Sequence, residues 1–234
     1  MNVIITQRHS LNKHGDWIDS LENSYIIYFE TFGVNLLPVS NTTINLEQLS
    51  RSVEIAGIIL TGGGDVDPDL YGKNAGSELS ISKQRDKLES SLLKLSISQK
   101  IPLLGICRGM QFINVFFNGS INQQINKMDT KNTHIVPSIH NVEITDNKIM
   151  NILGKKTFFT NSYHNQGIFE GGLGDDLMIF AMNKDLGLIE GIYHKNFPIA
   201  GIQWHPERPG SYNKIDEILV EAFINQKLYW ELNY

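Results

Sequence analysis

The chain has 234 residues, 41% hydrophobic and 19% charged, which suits one large α/β domain over residues 1–234 better than two ordinary domains. Its 20 basic and 25 acidic residues give a formal charge of −5, which argues against a general binder of nucleic acid or of an anionic membrane. No apolar run approaches the roughly 20 residues that span a bilayer, and residues 1–6 resemble a strand rather than a secretory signal. We therefore expect a cytoplasmic protein.

The first half of the chain alternates between strand and helix patterns. Short apolar runs rich in β-branched residues predict buried parallel strands at residues 3–5, 34–37, 57–60 and 103–106. Apolar side chains at helical spacing predict helices over 86–99 and 109–117. This alternation predicts an α/β fold with a central, mostly parallel sheet flanked by helices.

The second half changes character. Its candidate strands are spaced like an antiparallel or mixed extension of the sheet, at residues 138–145, 177–182, 186–193 and 199–203. A last amphipathic helix is predicted around 215–223. The longest irregular segments are 62–83 and 118–137, and loops of that length in a compact domain often carry function.

The only cysteine, Cys107, lies where a predicted strand runs into a predicted helix. Gly105 and Gly109 flank it at two residues on either side, which permits the sharp turn of a nucleophile elbow. The helix N-terminus behind such a turn favours the thiolate. An inert, buried thiol is the alternative, but the paired glycines favour a nucleophile.

A thiol nucleophile needs a base, and His205 and Glu207 close the predicted strand that ends near residue 203. Residues two apart in an extended chain face the same way, so Glu207 can orient the His205 imidazole toward Cys107. A surface pair at a strand end is the alternative interpretation.

Three consecutive glycines, residues 62–64, follow another predicted strand and allow backbone amides to approach a ligand closely. The amides of Gly63 and of Arg108, the residue after the cysteine, are the predicted oxyanion hole. A phosphate loop of the Walker type is excluded because no Gly-Lys-Ser/Thr follows.

Neither a metal nor a cofactor is expected. Asp65, Asp67 and Asp69 alternate as calcium ligands do, but Gly76 stands where an EF-hand needs its bidentate glutamate. The seven histidines show no metal-binding spacing.

Taken together, three motifs resemble a class I glutamine amidotransferase domain, and the resemblance covers nearly the whole chain: LTGGGDVDP at 60–68, GICRGMQ at 105–111 and GIQWHPE at 201–207. The pairs at 71–72 and 85–86 and the NSYHNQG segment at 161–167 resemble the γ-glutamyl hydrolase branch, peptidase family C26. The resemblance implies a flavodoxin-like fold and hydrolysis of a small γ-glutamyl compound through a thioester.

Residue roles follow from the same resemblance. It implies Cys107 as nucleophile, His205 as base and then acid, and Glu207 as orienter. It further implies that the γ-glutamyl head group is surrounded by Gln111, Ser162, Tyr163 and His164. For His164, a structural histidine that caps the loop is an equal alternative.

The leaving-group side is predicted to be lined by the loops 8–15, 64–83 and 118–137. The turn at 6–8 resembles the corresponding turn of a subgroup that hydrolyses γ-glutamyl-CDP-amidate. With such a substrate, Arg8, Lys13 and Arg108 of this chain would contact the diphosphate. Another substrate that the resemblance allows is γ-glutamyl-γ-aminobutyrate.

Three other classes of protein are alternatives. A glutaminase subunit that feeds a separate synthetase has the same triad and stays an alternative. The Gly-Gly-Gly-Asp loop favours a free-standing hydrolase instead. Such a hydrolase is compatible with a homodimer. An α/β-hydrolase is disfavoured because its histidine follows the acid in the chain, whereas His205 precedes Glu207. A binding protein without catalysis would leave the whole constellation unused.

Overall fold

The computed structural model of the protein describes residues 1–43, 45–74, 79–125, 136–211, 213–225 and 227. Its strands are β1 (Asn2–Ile5), β2 (Arg8–Leu11), β3 (Trp17–Ser20), β4 (Asn35–Pro38), β5 (Gly57–Leu60), β6 (Leu103–Ile106), β7 (Ser138–Ile144), β8 (Thr157–Ser162), β9 (Ile168–Phe169), β10 (Leu177–Asn183), β11 (Leu188–His194) and β12 (Ile199–Ile202). Its α-helices are α1 (Asn23–Glu30), α2 (Leu46–Ser52), α3 (Lys83–Gln99), α4 (Arg108–Phe116), α5 (Asn147–Leu153) and α6 (Asn213–Ile224).

One large sheet organises the fold, with the strand order β4-β1-β5-β6-β12-β11-β10-β7-β8 and with β9 paired to β11. The strands from β4 to β12 in that order are parallel. Those from β11 to β8 pair antiparallel. The predicted α/β fold, a central parallel sheet flanked by helices with an antiparallel extension, is confirmed, and the extension is about as wide as the parallel part.

Both faces of the parallel strands are buried, which explains their continuous apolar runs. On one face, Val3 and Ile5 of β1 join a core cluster that contains Phe29 of α1 and Phe223 of α6. On the other face, Ile4 of β1 belongs to a cluster with leucines of α3 and Met110 of α4. Helices therefore cover the sheet on both sides and leave its strand ends open.

The candidate site lies at the carboxyl ends of three adjacent parallel strands. In the sheet, β5, β6 and β12 are neighbours, and their last residues lead into the glycine loop, into Cys107 and into the segment that carries His205. Ligands bind at this edge of open α/β sheets because loops from several strands converge there. The fold thus brings together three sequence motifs that are far apart along the chain.

Several predicted elements differ in detail. The segment 8–15, predicted as a loop, begins with β2 and forms a hairpin with β3. Within 62–83, a 3₁₀ helix spans Pro68–Tyr71, and α3 begins at Lys83, earlier than predicted, because Ser82 caps it by accepting from the amide of Arg85. Residues 75–78 and 126–135 of the predicted leaving-group loops lie outside the described residues. Over the described ranges, no helix has the length and apolarity needed to cross a membrane.

Candidate active site

Cys107 stands at a strained turn between β6 and α4. Its backbone has φ 55° and ψ −106°, a positive φ that non-glycine residues rarely adopt. Its amide donates to the carbonyl oxygen of Ile202 (2.8 Å), which ties the turn to β12. The predicted strand, sharp turn and helix of a nucleophile elbow are all present.

The two flanking glycines are required by close packing. A Cβ on Gly105 would lie 2.5 Å from Ile113 Cδ1, and a Cβ on Gly109 would lie 2.2 Å from the carbonyl oxygen of Leu60. Either contact would push α4 away from the sheet. The glycines therefore set the height at which the Cys107 sulfur stands above the strand ends.

His205 and Glu207 form a buried pair beside the elbow. His205 Nδ1 donates to Glu207 Oε1 at 2.6 Å, and the side chains of both residues are at most 2% exposed. The imidazole lies beside Cys107: a Cβ placed on Gly62 would be 2.6 Å from His205 Cε1 and 3.3 Å from Cys107 Cβ. Because Nδ1 is held by the carboxylate, the other ring nitrogen is left for the sulfur, as a thiol–imidazole–carboxylate triad requires.

The imidazole is held in its charged form. Burial lowers the pKa of His205, but its electrostatic interactions with Cys107 and Glu207 outweigh it and raise the pKa to about 9. A protonated imidazole can stabilise a thiolate and later give a proton to a leaving group. The local electrostatics thus suit nucleophilic catalysis near neutral pH.

Asn161 fixes the backbone that carries His205. Its Oδ1 accepts from the His205 amide at 2.9 Å, and its Nδ2 donates to the His205 carbonyl oxygen at 2.8 Å. The same Nδ2 lies within reach of the carbonyl oxygens of Arg208 and Pro209. One buried side chain from β8 therefore anchors the histidine loop to the antiparallel extension.

The glycine loop faces Cys107 from β5. Gly62 packs under the pair so closely that a Cβ there would lie 2.6 Å from His205 Cε1. Gly63 has φ +81°, which glycine adopts without strain, and within the described chain its amide has no protein acceptor. Arg108 is the first residue of α4, so its amide has no intrahelical acceptor either. Both predicted oxyanion donors are thus available at the elbow.

A cavity of about 300 Å³ opens over the elbow. Such a volume suits a small-molecule ligand. Its lining comes from the elbow, the glycine loop, the histidine loop and the segment after β8: Arg8, Gly63, Gly64, Asp65, Leu79, Cys107, Arg108, Gln111, Gln123, Tyr163, His164, Asn165, Gln166, His205 and Arg208.

Most of the predicted head-group residues line this cavity. Gln111 does so while its Nε2 donates to Gln203 Oε1 and to the carbonyl oxygen of Gln166, both at 3.1 Å. Tyr163 and His164 also line it. Ser162 does not, because it is the last residue of β8 and is fully buried in the sheet.

His164 links the cavity to a buried acidic group. Its Nδ1 donates to the Gln166 carbonyl oxygen at 2.9 Å, and its Nε2 lies 4.0 Å from Glu190. His140 contacts the same carboxylate at 3.3 Å. Burial lowers the pKa of His140, but Glu190 outweighs it and holds the pKa above its ordinary value. His164 is therefore both a cavity wall and part of a structural cluster.

Of the three cations predicted to meet a diphosphate, only Arg8 presents its side chain to the cavity. Lys13 is exposed in the turn between β2 and β3 and does not line the cavity. The Arg108 guanidinium is 2% exposed and is paired with Asp86 and Glu89, so its predicted contact with a diphosphate is wrong. The reason is that two buried carboxylates already use its donors.

Arg208 supplies a second cation that sequence reasoning missed. Glu22 bridges the two arginines, at 2.6 Å from Arg8 and 2.7 Å from Arg208. The Arg208 guanidinium also lies 4.6 Å from the centre of the Tyr163 ring. Arg8, Glu22 and Arg208 thus form a partly exposed group at the cavity, named here the arginine rim.

The sequence did not predict the roles of three other residues that position the site. Asn161 and Arg85 stood within the motifs noted in the sequence, but nothing in those motifs indicated what they contact. Tyr25, whose hydroxyl accepts from the Gly62 amide at 3.0 Å, gave no sequence signal. In the described ranges, no group of three or more histidine, cysteine or acidic side chains is placed to hold a metal ion.

Fold and site together define a class I glutamine amidotransferase-like protein with a cysteine nucleophile. The sequence profile of the peptidase C26 family matches residues 4–207. The chain therefore belongs to that family.

Curated relatives and a solved structure agree with this membership. The γ-glutamyl-CDP-amidate hydrolase of Campylobacter jejuni is 36% identical over 72% of this chain and 70% of its own length. The γ-glutamyl-γ-aminobutyrate hydrolase of Escherichia coli is 32% identical over 76% of this chain and 74% of its own length. A glutamine amidotransferase structure from Thermotoga maritima superposes with a TM-score of 0.58 at 16% identity, covering 99% of this chain and 89% of that one, which shows the shared fold.

Proposed function

We propose that the protein hydrolyses the γ-glutamyl amide bond of a small compound through Cys107, His205 and Glu207. The observation that carries the proposal is the strained Cys107 elbow beside a buried, hydrogen-bonded His205–Glu207 pair in one cavity. Membership of the peptidase C26 family and the two relatives named as γ-glutamyl hydrolases supply the substrate class.

In the first half of the reaction, the Cys107 sulfur attacks the γ-carbonyl carbon from within about 3 to 3.5 Å. The developing oxyanion accepts from the amides of Gly63 and Arg108. The tetrahedral intermediate then collapses, the carbon–nitrogen bond breaks, and the leaving nitrogen takes a proton from His205. The product on the enzyme is a γ-glutamyl thioester.

In the second half, water attacks the thioester carbonyl while His205, now neutral, accepts its proton. The carbon–sulfur bond breaks, glutamate leaves, and the thiolate–imidazolium pair is restored. Glu207 keeps its bond to Nδ1 throughout, so the ring turns the same nitrogen toward the sulfur in both halves.

For the leaving group, the arginine rim favours an anionic amine or amidate. The exposed fractions of the Arg8 and Glu22 side chains are 40% and 34%, and such ion pairs are worth only about 0 to 1 kcal/mol. Arg8 can therefore turn from Glu22 to an anionic ligand at little cost. A γ-glutamyl nucleotide amidate fits this chemistry best, and γ-glutamyl-γ-aminobutyrate carries a single carboxylate that fits it less fully.

The proposal is tested by turnover of purified protein on glutamine, γ-glutamyl-γ-aminobutyrate, a folyl polyglutamate and γ-glutamyl-CDP-amidate. We expect glutamate release from at least one, with the phosphate-bearing substrate preferred in kcat/KM. Inactivity on all four would contradict the proposal. Glutamine hydrolysis that needs an added synthetase would indicate a glutaminase subunit instead.

A further inference from the structure

A buried arginine beneath the glycine loop donates hydrogen bonds to three successive carbonyl groups of that loop. Arg85, on α3, donates from Nη1 to the Gly63 carbonyl oxygen and from Nη2 to that of Thr61, each at 2.6 Å. Nη2 also reaches the Gly62 carbonyl oxygen at 3.3 Å. Three successive carbonyls of the loop therefore point at one guanidinium.

This fixes where the amides of the loop point. In a trans peptide, the carbonyl and the following N–H point in opposite directions. The Thr61 carbonyl faces Arg85, and the next amide, of Gly62, reaches the Tyr25 hydroxyl on the other side. By the same rule, the Gly62 carbonyl turns the Gly63 amide away from Arg85 and toward the cavity, where the oxyanion would form.

Arg85 is in turn held in place by a carboxylate that also holds the elbow. Glu89 accepts from Arg85 Nε at 2.8 Å, from the Arg108 guanidinium and, at 3.0 Å, from the Thr6 hydroxyl. Burial would raise the pKa of Glu89, but Arg108 and Arg85 outweigh it and lower the pKa, so the carboxylate is charged. Glu89 therefore connects Arg85, which holds the loop of Gly63, with Arg108, whose amide is the second predicted oxyanion donor.

We propose that Arg85 is a positioning residue for the oxyanion hole: its guanidinium turns the Gly63 amide toward the cavity, and Glu89 keeps that amide in register with the Arg108 amide. This rests on the proposed function, and it assigns the hole's geometry to Arg85 and Glu89, which act through the glycine loop and the elbow. A fork of donors is needed, because a lysine ammonium donates from a single nitrogen and cannot reach both the loop carbonyls and Glu89 as the guanidinium does.

Three variants test the proposal. Arg85→Lys keeps the charge and removes the fork. Lys87→Gln, on the exposed face of the same helix, is the neutral control. Leu92→Ala, fully buried on α3 two helical turns beyond Arg85, is the control for lost stability alone. Each is measured for Tm, for kcat and KM on a γ-glutamyl amide, and for the affinity of glutamate γ-semialdehyde, which forms a tetrahedral adduct with the thiolate.

Arg85→Lys is expected to lower kcat by about 10- to 100-fold, somewhat less than the loss of an oxyanion donor, with KM changed less than about threefold. The affinity of the aldehyde should fall in parallel, whereas the rate of Cys107 alkylation by iodoacetamide should stay within about twofold of wild type. Leu92→Ala and Lys87→Gln should keep the wild-type ratio of aldehyde affinity to KM. A full kcat in Arg85→Lys, or equal losses in Leu92→Ala at the same Tm, would overturn the proposal.

Amide hydrogen exchange of residues 60–66 gives a readout that does not depend on substrate. Arg85→Lys should exchange faster there than wild type, and Leu92→Ala should not. Unchanged exchange would also overturn the proposal. A wild-type protein inactive on every γ-glutamyl amide would contradict the proposed function alone, and the exchange data would still decide whether Arg85 fixes the loop.

Discussion

The cavity wall has a buried part at the elbow and a more exposed part at the arginine rim, and the two parts are built differently. At the elbow, the His205 and Glu207 side chains are at most 2% exposed, and the loops around them are held by buried bonds from Asn161 and Arg85. At the arginine rim, a third or more of the Arg8 and Glu22 side chains is exposed. We expect the reaction, which needs exact geometry, to use the buried part and recognition of the leaving group to use the more exposed part.

The largest effect should come from the buried part. Cys107→Ala and Cys107→Ser should lower kcat by about 10⁴-fold or more, because they remove the nucleophile, while Tm changes little. Turnover assays and thermal melts on both variants measure this. Unchanged turnover would contradict the mechanism, and loss of folding without a specific loss of activity would indicate an inert core thiol.

The second prediction grades the rest of the triad. His205→Asn should cost nearly as much kcat as losing Cys107, whereas Glu207→Gln should cost less, about 10²- to 10⁴-fold, because Glu207 orients the ring and stabilises its charge. Steady-state kinetics of both variants provide the comparison. A Glu207→Gln loss as large as that of Cys107→Ala would mean that Glu207 takes a direct chemical part.

The same variant has a pH signature. The carboxylate helps to raise the pKa of His205 to about 9, so its replacement lowers that pKa. The charged imidazole is then lost at lower pH, and the alkaline limb of kcat/KM should move to lower pH in Glu207→Gln than in wild type. An unmoved alkaline limb would mean that His205 does not set it.

Gln111→Ala should give a smaller loss that is shared by all substrates. Gln111 lines the cavity beside Cys107 and is braced by Gln203 and Gln166, so we expect it to bind the part common to all γ-glutamyl compounds. The loss in kcat/KM should be about 10-fold, the scale of one hydrogen bond, for neutral and anionic leaving groups alike. A loss in kcat/KM that differs between leaving groups would mean that Gln111 contacts the leaving group rather than the γ-glutamyl part.

The effect of the rim should be selective for charged leaving groups, and on uncharged substrates it should be the smallest of all. Arg8→Ala should weaken hydrolysis of a phosphate-bearing substrate by about 1.5 to 3 kcal/mol and spare uncharged amides. Lys13→Ala, which removes the same charge from the exposed turn of the same hairpin, is the matched control and should leave both substrates unaffected. Equal losses on charged and neutral substrates in Arg8→Ala would make Arg8 structural and remove the support for a nucleotide amidate.

The sequence predicted the buried part better than the rim. The glycines at 105, 109 and 62–64 directly indicate a tight turn and a close backbone approach. The strands β5, β6 and β12 were predicted from their apolar runs, so their shared carboxyl edge could be inferred. Arg108 misled because its charge suggested a ligand, whereas Asp86 and Glu89, one helix away in the fold, already hold it. Arg208 and Asn161 act through contacts between distant segments, which no local pattern encodes.

The central claim, a γ-glutamyl thioester on Cys107, is tested most directly by acid-quenching the enzyme during turnover of a γ-glutamyl amide and analysing its peptides by mass spectrometry. We expect that the peptide containing Cys107 gains the mass of a glutamyl group, that the gain disappears with hydroxylamine, and that Cys107→Ala shows none. Steady turnover with no adduct under rapid quenching, or an adduct on another residue, would contradict it.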